Sequence, residues 1–442
     1  MEELQQIFQS LVEAIGNADG GDFKVDLRAE RSHFCRFNRG RVRQNGLVWD
    51  GELCLKLIDR DREIVARLPF TEDYDYNLAV VLAQLPQLHR DLAEVPPSPY
   101  VVVPQNYGSR VSVSKGVLLE ESEVIEAVLS PLGGLDFCGF YGAGEIVRGH
   151  GNSAGQLDWF AMENFVLDYS IFAEGDASDR AVKDIYSGQV WCEQIYRQQV
   201  QQAQAWLQKL TLPGHRLCSG EYRAYLAPAA IAEILELMND SASEAALQQK
   251  RSPLLPLRAG RELSAQFNLQ ENFALGHVPQ FNFQREPVPA VLPIIEGGKL
   301  VNTLVSARSG LEYDRLANSD LDSERWQSPQ LLPGKLLESE ILSCLGTGIY
   351  ISNLHYLNWS DLLNGCFTGM TRYACFWVEG GEIVAPISNL RFDDSIYRCF
   401  GDRLIDLTST AKFIPDVSTY ERRALGGVEV PGILLEGLRF TL

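Results

Sequence analysis

The chain has 442 residues, of which 45% are hydrophobic, and its formal net charge at pH 7 is −19. This length predicts two or three folded domains, and the acidic surface disfavours nucleic acid as a binding partner. Because no run of about 18 uninterrupted apolar residues occurs, we expect no membrane span and no membrane partner.

The first part of the chain alternates helical and strand-like patterns. Apolar residues at helical spacing predict an amphipathic helix over residues 4–15. Basic and apolar residues alternate at 36–43, which indicates the solvated face of a strand or hairpin rather than a DNA contact. A hairpin is predicted with its turn at residues 59–62, and a helix over residues 77–88. Prolines near residues 96–99 predict a connector.

The middle of the chain leads into a β-rich second half. A helix is predicted over residues 116–130, with its glutamates on a solvated face. Strand composition surrounds the Gly-Asn-Ser turn at residues 151–153, and a long helix over residues 182–210 closes this half. From residue 221 onward, short β-rich runs separated by turns predict a sandwich or barrel, apart from one helix over residues 229–238.

These patterns predict an α+β fold class, in which an N-terminal mixed sheet with helices precedes a mostly β C-terminal part. We place the N-terminal domain at residues 1–210 and the C-terminal domain at residues 211–442.

The nine cysteines, from Cys35 to Cys399, form no C-x-x-C pair, which is typical of reduced thiols. The acidic N-terminus does not have the composition of a signal peptide. Cytoplasm is therefore the expected location.

A compact zinc motif is missing from the sequence. Zinc sites need several imidazole, thiolate or carboxylate ligands around the ion. The six histidines lie too far apart for any two to share a helix face. A dispersed metal site stays open, formed for instance by His277 and His355 with Cys344 or Cys366.

Ser153 lies in a G-x-S-x-G pattern at residues 151–155, the pattern of the nucleophile turn in α/β hydrolases. That turn requires a helix after the serine. The residues that follow alternate as a strand does, with Leu167, Tyr169 and Ile171 on one face, which favours an ordinary hairpin. An independent hydrolase that uses Ser153 remains an alternative.

A glycine-rich segment at residues 363–392 predicts a loop, a strand that contains Tyr373 and Trp377, a turn at residues 379–382 and a second strand. Thr368, Thr371 and Arg372 supply hydroxyl and guanidinium donors suited to the carbonyls or carboxylate of a peptide. A hairpin that holds extended chain and a purely structural hairpin are both compatible with this pattern.

Several of these segments resemble, in order along the chain, the motifs of the TldD/PmbA family. The resemblance is best in "GIYISNLHY", "NGCFTGMTR" and "VEGGEIVAPISNLRF", and it extends to "RGHGNSAG" and "SGEYRAYLAPAAIAEILELM". It implies an α+β domain followed by a large, barrel-like β domain. It also implies a heterodimer of a TldD-type and a PmbA-type (TldE) subunit, which acts as a zinc peptidase on unfolded or short peptides.

The resemblance further implies which subunit this chain is. The TldD-type subunit carries H-E-x-x-x-H on the helix that opens the C-terminal domain, together with a later cysteine ligand. Here that helix has no histidine, and Glu233 and Glu236 are its acids. Cys344 lies in the region of the cysteine ligand but cannot make a site alone. The chain therefore resembles the PmbA-type subunit, with no catalytic residue, metal or cofactor of its own and with zinc in a TldD-type partner.

The implied role is to shape the chamber and to bind peptide backbone. The groove candidates are Asn364, Phe367, Thr368, Gly369, Thr371 and Arg372. A homodimer of the chain alone stays open, and so does a stand-alone peptide-binding module. Members of the family are also named modulators of DNA gyrase, but the charge of −19 gives no support for direct DNA contact.

Overall fold

The computed structural model describes residues 2–173, 180–281, 289–318 and 323–441. Helices pack around two separate sheets. The α-helices within this part of the chain are α1 (Glu2–Asp19), α2 (Tyr74–Glu94), α3 (Val124–Leu129), α4 (Glu193–Leu210), α5 (Pro228–Leu237), α6 (Glu244–Gln248), α7 (Leu255–Arg258), α8 (Ala307–Tyr313) and α9 (Ile341–Leu345). Single 3-10 turns are Ser130–Leu132, Phe273–Leu275, Glu338–Glu340 and Leu362–Asn364, and Arg398–Asp402 is a π turn.

The first sheet is built from long strands of the N-terminal half. Its strands are β1 (Asp22–Asn38), β2 (Arg41–Asp59), β3 (Arg62–Pro69), β4 (Val111–Ser114), β5 (Asp136–Asn152), β6 (Leu157–Phe172) and β7 (Ala181–Gly188). They run in the order β3-β2-β1-β5-β6, and both β4 and β7 pair with β6. All pairs are antiparallel except β4 with β6. The mixed N-terminal sheet with helices is therefore confirmed.

The two faces of the first sheet differ in chemistry. Because side chains alternate along a strand, Val25, Leu27 and Cys35 of β1 lie on one face, where helices α1 to α4 cover them. Arg28 and Glu30 lie on the opposite face, toward residues of the second half of the chain. Charged groups on a buried face need partners, so this face determines how the two halves fit together.

The second sheet contains the strands of the C-terminal half. Its strands are β8 (Gly220–Leu226), β9 (Leu269–Asn272), β10 (Val291–Glu296), β11 (Lys299–Leu300), β12 (Pro329–Leu331), β13 (Gly348–Ile351), β14 (Asn353–Asp361), β15 (Cys366–Arg372), β16 (Phe376–Glu379), β17 (Glu382–Pro386), β18 (Arg391–Ser395), β19 (Leu404–Pro415) and β20 (Gly427–Phe440). The longest path runs β11-β10-β9-β12-β20-β8-β13-β16-β17. The α+β class is thus confirmed. Among the described strands the sheet does not close into the barrel that the resemblance implied.

One loop of the second half reaches into the first sheet. Arg423 follows β19 and donates hydrogen bonds to Ser32, to Asn164 and to the carbonyl oxygen of Gly144, at 2.8 to 3.0 Å. Its backbone N–H also donates to the buried Glu30 carboxylate at 3.2 Å. The two halves therefore share a buried polar contact. The division of the chain at residue 210 stays a prediction.

Two predicted helices form only in their later part, as α3 and α4, and the first part of each prediction is wrong for a shared reason. Only α3 forms within residues 116–130, because Val117 exchanges backbone hydrogen bonds with the segment around Gln189 and Trp191. Residues 182–188 form β7 instead of the start of a helix, because this segment pairs with β6 over its whole length. In both places hydrogen bonds to distant parts of the chain override the local pattern.

Most of the other local predictions are confirmed. Helix α1 and the hairpin of β2 and β3, with Asp59 opposite Arg62, form as expected. The four arginines at 36–43 are exposed, Arg39 in the turn between β1 and β2 and the other three in the strand ends beside it. None of the described helices combines the length and the hydrophobicity of a membrane span. All nine cysteines are free thiols.

Candidate functional site

A cavity of about 930 Å³ lies between the two sheets. Its walls come from β6 and β7 of the first sheet, from α4 and α5, and from the end of β19 and the start of β20. Apolar side chains such as Ile185, Val190 and Ile195 alternate there with charged ones. A concave site with an apolar lining and a few polar groups is the usual form of a ligand-binding pocket. This cavity is therefore the candidate functional site.

Helix α5 presents one face to this cavity. Pro228 occupies its first turn, where a missing N–H costs nothing. Ile231, Ile234 and Leu235 are buried in the core of the second half. The cavity face carries Ala229, Ala232, Glu233 and Glu236, which is the spacing of one helical stripe. The core therefore fixes the helix rotation that directs both glutamates into the cavity.

Three acids that line the cavity, Asp184, Glu233 and Glu236, have pKa values above their ordinary values. Burial, with help from Glu236, raises the pKa of Glu233, and Lys183 opposes this. Burial also raises the pKa of Glu236, with help from Asp416. Burial raises the pKa of Asp184 as well, although the N–H of Ile185 donates to its carboxylate. The cavity therefore offers several carboxyl groups as hydrogen-bond or ion-pair partners to a ligand.

Replacement of Glu233 by glutamine is expected to stabilise the fold at about pH 7 to 8. A carboxyl whose pKa is raised on folding holds its proton more tightly in the folded state. Stability therefore falls as the pH rises from the ordinary value of 4.5 through the raised pKa. Glutamine does not ionise and avoids this loss, so the gain should vanish below about pH 4. Melting temperatures across this pH range measure the effect.

The matched control for this prediction is Glu94→Gln, which changes a glutamate at the end of α2 that does not line this cavity. Its effect should be small at every pH. A gain from Glu233→Gln that persists unchanged at low pH, or an equal gain in the control, would contradict the placement of Glu233 in the cavity.

A second cavity of about 440 Å³ adjoins the first. Glu236, Asp416, Gly427 and Val428 line both cavities. The second cavity also carries three arginines: Arg28 from β1, Arg148 from β5 and Arg325. We call the two adjoining cavities together the joined cavity. Its larger part is rich in carboxyl groups, and its smaller part is rich in guanidinium groups.

The six groove candidates lie together on β15 and the turn before it, but they differ in exposure. Phe367 and Thr371 are fully buried, and Thr371 accepts a hydrogen bond from the N–H of Leu390. A side chain at Gly369 would meet Phe392 at 2.7 Å. Only Asn364, Thr368 and Arg372 have side chains that reach solvent. Their role in peptide binding stays a prediction.

The strands and turns around β15 agree only in part with those predicted for residues 363–392. Strand β15 pairs with both β14 and β18, so both of its backbone edges are occupied. The predicted strand through Tyr373 is wrong, because Tyr373 has a φ of 63° and forms a turn between β15 and β16. The turn at Gly380 and Gly381 is confirmed, and both residues have positive φ. The six candidates lie outside the lining of both cavities.

Ser153 lies in the turn between β5 and β6, so a strand follows it rather than a helix. Its hydroxyl donates to Asp22 and accepts from the N–H of Phe23, both at 3.2 Å. These bonds join the turn to the start of β1. The hairpin interpretation is therefore confirmed, and the nucleophile turn is not formed.

The structure does not assemble the dispersed metal site. His277 stacks on Phe413 with a ring distance of 3.8 Å, whereas His355 is exposed on β14 beside Tyr356. Cys344 is exposed on α9. Within the described ranges, no three histidine, cysteine or acidic side chains converge as metal ligands do.

Sequence reasoning identified Glu233 and Glu236 but missed the rest of the cavity. The local pattern predicts a helix over Lys183 and Asp184, and each of the three arginines stands alone in the sequence without a motif around it. The available signal was the alternation in β1, where Asp26, Arg28 and Glu30 interrupt an apolar strand on one side only.

Comparisons with known proteins agree with the motifs. The family model of the PmbA/TldA metallopeptidase C-terminal domain matches residues 219–442, half of the chain. A search of curated proteins finds no match. The fold is similar to that of TldE from Thermococcus kodakarensis, with a TM-score of 0.82, 13% identity, and coverage of 99% of this chain and 100% of that one.

Two further solved structures share the fold and are named as candidate modulators of DNA gyrase. The protein from Bacteroides thetaiotaomicron has a TM-score of 0.80 at 15% identity, with 100% of this chain and 99% of that chain covered. The protein from Thermotoga maritima has a TM-score of 0.78 at 13% identity, with 98% and 99% covered. Together with the family match, the ordered motifs lead to one conclusion: the chain belongs to the TldD/PmbA family.

Proposed function

We propose that the chain is the non-catalytic, PmbA/TldE-type subunit of a heteromeric zinc metallopeptidase that acts on unfolded or short peptides. The main support for this proposal is the set of residues on the face of α5 that lines the cavity. The family resemblance places H-E-x-x-x-H on this helix, but Ala229, Ala232, Glu233 and Glu236 occupy the face here. Two glutamates on one helix do not complete a zinc site, and the described residues around them add no third ligand group. The zinc is therefore expected in a TldD-type partner.

The shape and lining of the cavity support a role in peptide binding. Its volume of about 930 Å³ lies within the usual range for ligand pockets, roughly 300 to 1,000 Å³. Carboxyl and ammonium groups on its walls offer partners for peptide N–H and carbonyl groups, and Ile185, Val190 and Val428 offer apolar contacts. We assign peptide binding to this cavity, with Asn364, Thr368 and Arg372 as additional surface contacts.

The partner experiment tests the proposal. The chain is mixed with the H-E-x-x-x-H protein encoded in the same genome, and the mixture is examined by size-exclusion chromatography and by cleavage of an unfolded peptide. We expect co-elution, and cleavage by the mixture that neither chain achieves alone. Co-elution without an effect on cleavage would contradict the chamber role. Peptide binding by a chain that does not co-elute would favour a stand-alone binding module.

The same assay tests the surface contacts. Arg372 is exposed, and its guanidinium lies 5.2 Å from the ring of Tyr373. If it holds substrate, Arg372→Ala should weaken peptide binding without loss of the partner. Unchanged binding would remove Arg372 from the site.

The nine free thiols support the cytoplasm as the location of the complex.

A further inference from the structure

Two arginines are cross-strand neighbours in the first sheet. In the pairing of β1 with β5, Arg28 lies directly opposite Arg148. Like charges at directly opposite positions of an antiparallel pair are destabilising. Both side chains line the smaller cavity, and Arg325 lines it from the second half of the chain. Three cationic groups from separate segments thus converge on one space.

The surroundings of Arg148 do not neutralise its charge. Its guanidinium donates to the carbonyl oxygen of Val147 at 2.8 Å, and the described part of the chain places no carboxylate within ion-pair distance of it. Burial lowers the pKa of Arg148 to about 9, and the charges of Arg28, Arg422 and Arg423 lower it further. The Glu30 carboxylate acts in the opposite direction. Arg422 and Arg423 pair with Asp50 and Glu30, so the Arg148 guanidinium is the group that a bound anion would stabilise most directly.

The charge of the joined cavity changes along its length. The smaller cavity carries the three arginines, while three acids line only the larger one. These acids are Asp168, Asp184 and Glu233, and they are accompanied there by Lys412 and by Lys183, which pairs with Asp168. Glu236 and Asp416 stand where the two adjoin. A ligand with a negative group at one end and a positive group at the other fits this arrangement, and a short peptide with free termini is such a ligand.

We propose that the arginine pocket formed by Arg28, Arg148 and Arg325 binds the C-terminal carboxylate of a short peptide, with the rest of the peptide in the larger cavity. The proposal rests on the peptide binding proposed above and specifies its direction. A guanidinium group matches a carboxylate with two parallel hydrogen bonds. The nearby Glu236 and Asp416 disfavour a more highly charged anion such as phosphate, since like charges repel.

The test compares two peptides of one sequence, one with a free C-terminal carboxylate and one with an amidated C-terminus. Binding is measured by calorimetry on the full chain and on Arg148→Gln. The wild-type chain should bind the free acid about 10- to 100-fold more tightly, the range expected for a charge-assisted hydrogen bond. Arg148→Gln should remove most of this preference. Its folded state should be at least as stable as that of the wild type, because a repelled cation is lost.

Two controls make the result specific. Arg90→Gln changes an exposed arginine on α2, remote from both cavities, and should keep the full preference. Arg325→Gln changes an exposed member of the pocket and should reduce the preference even if Arg148→Gln folds poorly.

The outcomes separate this inference from the proposed function. Equal binding of both peptides by the wild-type chain would overturn the carboxylate pocket and leave peptide binding intact. Binding of neither peptide would overturn both proposals. Tighter binding of inorganic phosphate than of the free-acid peptide would overturn the assignment to a carboxylate.

Discussion

Replacement of Arg423 by alanine is expected to lower the free energy of unfolding by about 3–5 kcal/mol. The Arg423 side chain is 7% exposed and binds Ser32, Asn164 and Gly144. Its guanidinium also lies 3.6 Å from the Glu30 carboxylate, which is itself buried. Its removal leaves that buried carboxylate without its guanidinium partner, and such losses are among the most destabilising known for single substitutions.

Guanidinium chloride denaturation measures this effect. The control Arg90→Ala removes an exposed arginine and should change stability by no more than about 0.5 kcal/mol. The double variant Arg423→Ala/Glu30→Gln should recover part of the loss, because the charge left alone is also removed. A loss below about 1 kcal/mol in Arg423→Ala would mean that this contact does not hold the two halves together.

The second large effect is expected from Phe367→Ala, at about 3–5 kcal/mol. Phe367 is fully buried in the core of the second half, with ring distances of 5.8 Å to Phe392 and 6.5 Å to Trp359. Alanine leaves a cavity there that the strands β14, β15 and β18 cannot easily close. Phe367→Leu keeps most of the volume and should cost roughly half as much.

The same denaturation experiment applies, and the control is Leu363→Ala in the turn before β15. Leu363 is 49% exposed, so its loss should be small. If Phe367→Ala instead keeps full stability and weakens peptide binding, Phe367 is a contact residue, and the core packing described here is wrong.

The sequence was sufficient where structure is local. The apolar spacing from Leu4 to Ile15 predicts α1 correctly, and the polar residues at 59–62 predict the turn between β2 and β3 correctly. The sequence was insufficient where pairing with a distant strand determines the secondary structure of a segment. The segment of Val182 and Tyr186 has too little β signal of its own, and it becomes a strand because β6 offers a free edge.

The residues of the candidate site also divide into those that the local sequence predicts and those that only distant strand pairing brings together. The absence of histidine on α5 and the presence of Glu233 and Glu236 are readable from the sequence. The arginine pocket is not, because Arg28 and Arg148 meet only through the register of β1 and β5. A shift of one residue would place one of them among the apolar residues under the helices. Only the fold brings such a pair together.

Zinc content is the measurement that tests the central claim most directly. The chain, the H-E-x-x-x-H protein and their complex are purified separately and analysed for bound zinc, and each sample is assayed for peptide cleavage. The account predicts no stoichiometric zinc and no cleavage for the chain alone, and roughly one zinc ion per pair in an active complex. Stoichiometric zinc in the chain alone, or cleavage by it without the partner, would contradict its assignment as the metal-free subunit.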